Sequence, residues 1–354
     1  MIYHILFFIL IFGGYLYFKG KASINAKNDF LLWACCLMML QSGLRHVAVG
    51  ADTYNYMYMF NEAQNYTWDY IRQAFYETYV LGEGKDPGYF VVQKLFGYIT
   101  TDFTFFLLAV AALFFYAWGK LVKRYTSTID EVLTSVGVYY LLFYSFFSIT
   151  GIRQTISVAL GILAFLSMVD KKYVRFIFLL ILAFFIHKSA GIIVLFPFLY
   201  RIKNQSLLWW IVVLAFVIDL IYRTPIMTRF IEYADYDKDF HSRPPYALMA
   251  LYFVLSIYIY SFIKRLPQND DKRKLFNMYV ITFAWIPLLG WDSLFIRQVL
   301  FFSVFTSVLV PKSLKEQNRF VNNVFTAFCF IYFLLLNSAY AFFWQEMELG
   351  FNYN

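Results

Sequence analysis

Apolar residues collect along this chain in long runs, at 1–18, 29–44, 103–119, 132–149, 152–169, 174–186, 189–200, 206–222, 246–263, 275–290, 294–310 and 320–341, and polar residues collect in the gaps between them. A helix needs about 20 apolar residues to cross the hydrocarbon of a bilayer, within a range of about 17–25. The pattern therefore predicts an all-α polytopic membrane protein of about twelve crossing helices (about 10–14), with 1–354 as one integral membrane domain. Runs 174–186 and 189–200 are both short and meet at His187-Lys188. One long helix there would put Arg175 and Arg201 on opposite faces, so the expected form is a hairpin of two short helices. Run 29–44 is short as well. If the inner ends of these three lie at the inner interface, their outer ends stop below the outer one. Arg45, His46 and His187 then sit at the bottom of an outward-facing wet recess, because charge at depth is tolerated only where protein or water surrounds it.

The gaps alternate in kind. Six are short and basic: Lys19/Lys21/Lys27, Lys120/Lys123/Arg124, Lys171/Lys172/Arg175, Arg201/Lys203, Lys264/Arg265/Lys272/Arg273/Lys274 and Lys312/Lys315/Arg319. Lys and Arg are retained in cytoplasmic loops, which places these gaps inside and both termini outside. Two long outer loops remain, 45–102 and 223–245. The first is rich in Tyr and Trp, and Pro87 to Tyr98 has apolar residues at helical spacing, as in a helix lying on or dipping into the membrane. The second mixes arginines with carboxylates. Run 1–18 lacks a preceding positive charge and a small-residue cleavage site, so it is expected to be a first helix and not a cleaved signal.

Composition adds little beyond this. With 61% hydrophobic and 15% charged residues, the chain exceeds what one soluble core can hide. The net charge of +8 is mostly the inner loops, which points to anionic lipid heads and not to nucleic acid. Cys35, Cys36 and Cys329 offer neither a disulfide framework nor a metal cluster. Asp235, Asp237 and Asp239 copy the opening of a calcium loop, but Phe240 stands at the turn glycine and Tyr246 at the closing glutamate. Gly82, Gly84 and Gly88 follow no strand and have the wrong spacing for a dinucleotide fingerprint. No metal and no cofactor is expected.

Arginines at the outer ends of different runs carry the strongest chemical signal: Arg45, Arg153 in Gly151-Ile-Arg-Gln-Thr155, Arg297 in Asp292-Ser-Leu-Phe-Ile-Arg297, and Arg243 in the second loop. An arginine drawn into the apolar zone costs about 2.5–3.5 kcal/mol on insertion scales, so a set of them calls for a common partner. Guanidinium grips phosphate bidentately, and a lipid-linked diphosphate fits. The plainer alternative is snorkelling to lipid head groups or pairing with loop carboxylates. Asp52, in Gly50-Ala-Asp-Thr-Tyr-Asn-Tyr56, is a candidate general base, or equally a helix N-cap. Asp86, before Pro87-Gly88-Tyr89, reads first as a helix start. His187, in His187-Lys-Ser189, could take a proton or donate to phosphate.

The succession Arg45…Gly50-Ala-Asp-Thr-Tyr54, Asp86-Pro-Gly-Tyr89, Gly151-Ile-Arg-Gln154, His187-Lys-Ser-Ala190 and Ile296-Arg297 followed by Pro311 resembles the Wzy/EpsG-type bacterial polysaccharide polymerases, from about residue 29 to the C-terminus. Asp86 departs mildly from the family, where a Glu often precedes the Pro-Gly-Tyr block. The resemblance implies a glycosyltransferase of the bacterial cytoplasmic membrane, with a GT-C-like architecture by analogy. Such an enzyme would move a growing O-antigen, capsule or exopolysaccharide chain from undecaprenyl diphosphate onto a hydroxyl of the next lipid-linked repeat unit, at the outer face of that membrane. Its partners would be that oligosaccharide, membrane lipids and a chain-length regulator. On this reading Asp52, and less readily His187, is the catalytic base. Arg45, Arg153, Arg243, Arg297, Gln154, Lys188, Asp86 and Tyr56 contact substrate. The rival is a repeat-unit flippase or other twelve-helix transporter, which tends to carry mid-bilayer charge and internal repeats; neither feature is found. A membrane acyltransferase with His187 as base suits the arginine set less well.

Overall fold

In the computed structural model, which describes residues 2–21, 23–50, 52–84, 86–221, 225, 229, 245–263, 271–289 and 295–339, the apolar runs become helices, and no strand occurs among the described residues. In chain order these are α1 (Ile2–Gly20), α2 (Ala26–Gly43), α3 (Thr53–Asn65), α4 (Trp68–Tyr76), α5 (Pro87–Gly97), α6 (Phe103–Tyr125), α7 (Ile129–Leu142), α8 (Ile152–Val169), α9 (Tyr173–Ile186), α10 (Phe196–Arg201), α11 (Gln205–Ile221) and α12 (Tyr246–Ile263). Then follow α13 (Asp271–Ala284), α14 (Ile286–Leu289), α15 (Ile296–Ser303), α16 (Thr306–Glu316) and α17 (Arg319–Ala339). The described helices α1, α6, α8 and α12 are long and apolar enough to cross a membrane on their own. The stretch 45–102, expected as a long loop with a helix over Pro87 to Tyr98, holds that helix as α5 and two further helices, α3 and α4. The stretch 223–245 lies almost wholly outside the described residues.

Several runs are not single α-helices. Run 132–149 is α7 followed by a π turn at Ser145–Ile149, and run 294–310 is divided into α15 and α16. Run 189–200 is a 3-10 segment, Lys188–Leu195, leading into the single turn of α10. Pro197, at the start of α10, lacks the N–H that a continuous helix would use. The hairpin at 174–200 is present. His187 is extended, with φ −156° and ψ 113°, and the chain returns so that Arg201 Nη2 donates to Tyr173 Oη at 3.4 Å. A single helix would hold those two residues far apart.

The charges sort by end of the bundle. Lys19 pairs with Asp130 (2.8 Å), and Lys27 donates to the carbonyls of Lys123 and Thr126. Arg124 pairs with Asp170 (2.5 Å), while Lys312 and Lys315 clasp Glu131 at 2.6 and 2.7 Å. The described parts of the six basic gaps thus meet at one end. Helix α8 is the axis that leads away from it. Its apolar span is 89% buried, against 17% for α1, so α8 is packed on all sides by protein while α1 faces outward. Near its middle, Gly161 admits Ile193 from the hairpin and Phe301 from α15, which would lie within 3.1–3.2 Å of an added Cβ.

Candidate functional site

At the far end of α8 the chain turns through Gly151, whose φ of +65° suits a residue without a side chain, and the next turn presents Arg153. Helix α5 arrives beside it. Its second residue, Gly88, lies against the backbone of Phe185, where a Cβ would come within 2.5 Å of the carbonyl oxygen. This close approach sets Asp86, two residues earlier, beside His187, two residues after Phe185. Asp86 starts α5, with Pro87 at the first helical position, but its side chain makes no capping bond and its φ is +50°. A carboxylate on a left-handed residue, 5% exposed, is unusual enough to call for a reason.

The reason is its partners. Asp86 Oδ2 accepts from Arg153 Nη1 at 3.0 Å and from His187 Nδ1 at 2.9 Å, while Oδ1 accepts the backbone N–H of Lys188 at 3.0 Å. Burial alone would push the Asp86 carboxyl up; the electrostatic pull and hydrogen bond of the His187 ring, the Arg153 guanidinium and the Lys188 N–H outweigh it and hold the group down at about 2. An ionised carboxylate only accepts, so the imidazole proton sits on Nδ1 and Nε2 carries the lone pair. Ser189 Oγ lies 3.2 Å from that Nε2 and donates to it. His187 is itself buried, and burial, with the charges of Arg297 and Arg153, favours the neutral ring over the opposing pull of Asp86. A carboxylate, a neutral imidazole and a hydroxyl therefore stand in line.

Aromatic rings hold the cation. The Arg153 guanidinium lies 5.8 Å from the ring centroid of Tyr56 and 5.9 Å from that of Tyr89. Gln154 Nε2 donates to the carbonyl of Arg297 at 2.9 Å, tying the start of α8 to α15, and the charge of Arg297 reaches His187. Lys188 Nζ donates to the carbonyl of Gly84 at 3.3 Å. Four buried polar atoms around this hub have no partner: Arg153 Nε, Gln154 Oε1, Gln298 Oε1 and Tyr89 Oη. Buried polar atoms are ordinarily hydrogen-bonded, so such a group of exceptions marks a place built to meet something else.

The remaining sequence candidates are placed as follows. Arg45 donates to the carbonyls of Ser42 at 2.5 Å and Ile149 at 3.2 Å, joining the end of α2 to the π turn just before α8. Those bonds give it a bracing role. Asp52 is exposed at the start of α3 and makes no side-chain capping bond; its carbonyl receives the N–H of Tyr56 at 3.0 Å, so it stands one turn from the ring beneath Arg153. Arg243 and Asp292 lie outside the described residues. Asp86, expected first as a helix start, does start α5 and is also the centre of the cluster. Ser189 and Tyr89 join it without having been singled out, although both stand inside the sequence motifs quoted for the family resemblance.

Across the chain, residues 28–353 match the model of the EpsG family. No curated protein and no solved structure matches the chain.

Proposed function

The chain belongs to the EpsG family, as a match over nearly its whole length shows, and from that membership and the site geometry we propose that it polymerises polysaccharide by lipid-diphosphate-dependent glycosyl transfer. Membrane embedding and a role in polysaccharide polymerisation follow from the family and the apolar helices. The finer reading is that a glycan on undecaprenyl diphosphate is moved onto a hydroxyl of the next lipid-linked repeat unit at the outer face of the bacterial cytoplasmic membrane, by a protein of about twelve crossings with both termini outside and a GT-C-like plan. The bond between the sugar anomeric carbon and the diphosphate oxygen breaks. A bond from the acceptor oxygen to that carbon forms, and the departing diphosphate carries away the negative charge.

The observation that carries this reading is the Asp86–His187–Ser189 line, with Arg153 on the same carboxylate oxygen as the imidazole. His187 Nε2 accepts the acceptor's proton, directly or through the Ser189 hydroxyl, and Asp86 keeps the ring in the tautomer able to do so. Arg153 and Arg297 supply positive charge where the diphosphate leaves, the orphaned Gln154 and Gln298 carbonyl oxygens accept from sugar hydroxyls, and the Tyr89 hydroxyl donates to a sugar or phosphate oxygen. This order reverses the sequence expectation, in which Asp52 came before His187. Asp52, exposed one turn from Tyr56, is the second reading for the base, suited to a hydroxyl that approaches from the loop side. Deletion of the gene in a host making the cognate glycan tests the function. The expected result is loss of the polymer ladder with single repeats still exported and attached; no exported repeats at all would indicate a flippase and overturn the proposal.

A further inference from the structure

The end of the bundle opposite Asp86, about 25 Å along the 18-residue axis of α8, carries a second built site. A cleft of about 550 Å³ opens there, and Lys171, Arg201, Lys203, Arg273 and Lys274 all line it. They come from three separate gaps of the sequence, so only the fold brings them together. Lys274 pairs with Asp271 at 2.7 Å, and Arg201 donates to the Tyr173 hydroxyl. Positive charge still dominates the cleft. Met168, Val169, Pro197 and Ile202 add apolar surface to the lining.

A second observation singles out Lys171. It has φ +59°, and it and Asp86 are the two non-glycine residues with positive φ among those described. It follows the C-terminus of α8 in a complete Schellman turn, its N–H bonded to Met168 O at 3.0 Å and that of Lys172 to Ser167 O at 2.8 Å. Glycine is the usual occupant of this position because it enters the left-handed region without strain. Here a lysine takes it, and the turn sends Lys171 into the larger cleft and Lys172 into a neighbouring one of about 280 Å³. A strained backbone residue is a pointer to function when the surroundings give its side chain something to do.

We infer that this cleft binds an anion bearing two phosphate groups, held against the basic collar with its remaining bulk along the apolar part of the lining. Five cationic side chains over this volume exceed what one phosphate would engage, and Arg and Lys at the inner ends of membrane helices recognise such head groups. Two sources share the chemistry, a diphosphatidyl lipid and free pyrophosphate. The site does not depend on the polymerase reading and can stand or fall without it.

The test uses the full chain purified in detergent, with bound species counted by native mass spectrometry as diphosphatidylglycerol, phosphatidylglycerol or inorganic pyrophosphate is titrated in. We expect at least one of the two diphosphate probes to bind at least tenfold more tightly than phosphatidylglycerol. Lys171→Gly and Arg201→Gln should each weaken that binding by about fivefold. Lys171→Gly should melt at or above the parent temperature, since it relieves the turn, which separates a binding loss from misfolding. Displacement of the lipid by pyrophosphate makes the ligand a soluble anion; failure to displace it makes the ligand a lipid. Parent-like binding of both probes in both variants, or phosphatidylglycerol binding at least as tightly as both probes, overturns the inference.

Discussion

Replacing Asp86 by Asn removes one charge and almost no volume from the centre of the cluster, and its consequences can be worked from the structure. The carboxylate is buried and its pKa is drawn from an ordinary 3.8 to about 2, a difference worth on the order of 2 kcal/mol of stability at neutral pH. The sign is that of a depressed acid: the contribution is complete above about 4 and is lost as pH falls toward 2. The amide also leaves the Arg153 guanidinium, whose side chain is 19% exposed, without its counter-charge, and breaking a buried pair by removing one partner costs about 3–5 kcal/mol. These two figures describe overlapping physics, so the expected destabilisation is about 3 kcal/mol and not their total. Pairing Asp86→Asn with Arg153→Gln should recover part of it, with a coupling of about 0.5–3 kcal/mol in a double-mutant cycle. The assay is thermal unfolding of the detergent-purified protein by size-exclusion fluorescence, beside the polymer ladder in cells. Activity should fall by about 10²–10⁴-fold in Asp86→Asn even where protein level is restored, because the imidazole loses the partner that holds its tautomer. Parent-like melting together with a parent-like ladder would refute the reasoning.

Other consequences follow from the same geometry. His187→Gln should abolish the ladder while the protein accumulates. In the parent enzyme, the acid limb of the pH–rate profile should lie below 6.5, because the buried ring is held neutral; folding stability should decline as pH drops from about 6.5, where the unfolded chain takes up a proton that the folded ring resists. A profile with its midpoint above 6.5 would contradict this. Ser189→Ala removes the hydroxyl 3.2 Å from His187 Nε2 and should lower the rate by about tenfold while costing about 1 kcal/mol of stability, the size of one lost hydrogen bond. Gly88→Ala forces a methyl to within 2.5 Å of the Phe185 carbonyl and should destabilise by about 1–3 kcal/mol while displacing Asp86, so that stability and activity fall together. Glu131→Gln, at the basic end, should weaken the clasp of Lys312 and Lys315 and lower the melting temperature while leaving the pH–rate profile in place; a shifted profile would count against the separation of the two ends.

Read alone, the sequence determined that the chain is helical and membrane-embedded, because long apolar runs in water have no other satisfactory fate. The alternation of basic gaps also determined that those gaps share one end, and Lys27, Arg124, Arg201 and Lys312 are found reaching across to their neighbours there. The motifs at Asp86, Gly151–Gln154 and His187–Ser189 were legible as residues worth weighing, but not as a single object. Hydropathy could not say that α8 is enclosed by protein while α1 faces outward, since both runs are apolar and only packing distinguishes them. Nor could spacing reveal that Asp86 gives up its cap to take Arg153 and His187. Residues 86, 153 and 187 meet because Gly88 lets one helix rest on the backbone of another, a contact with no local signature in the chain. The arginines were expected as a set seeking phosphate; in the fold Arg45 braces the backbone, while Arg153, paired with Asp86, and Arg297 both act on His187. Partner choice among buried charges is decided by which groups lose their water together, and that is a property of the tertiary structure.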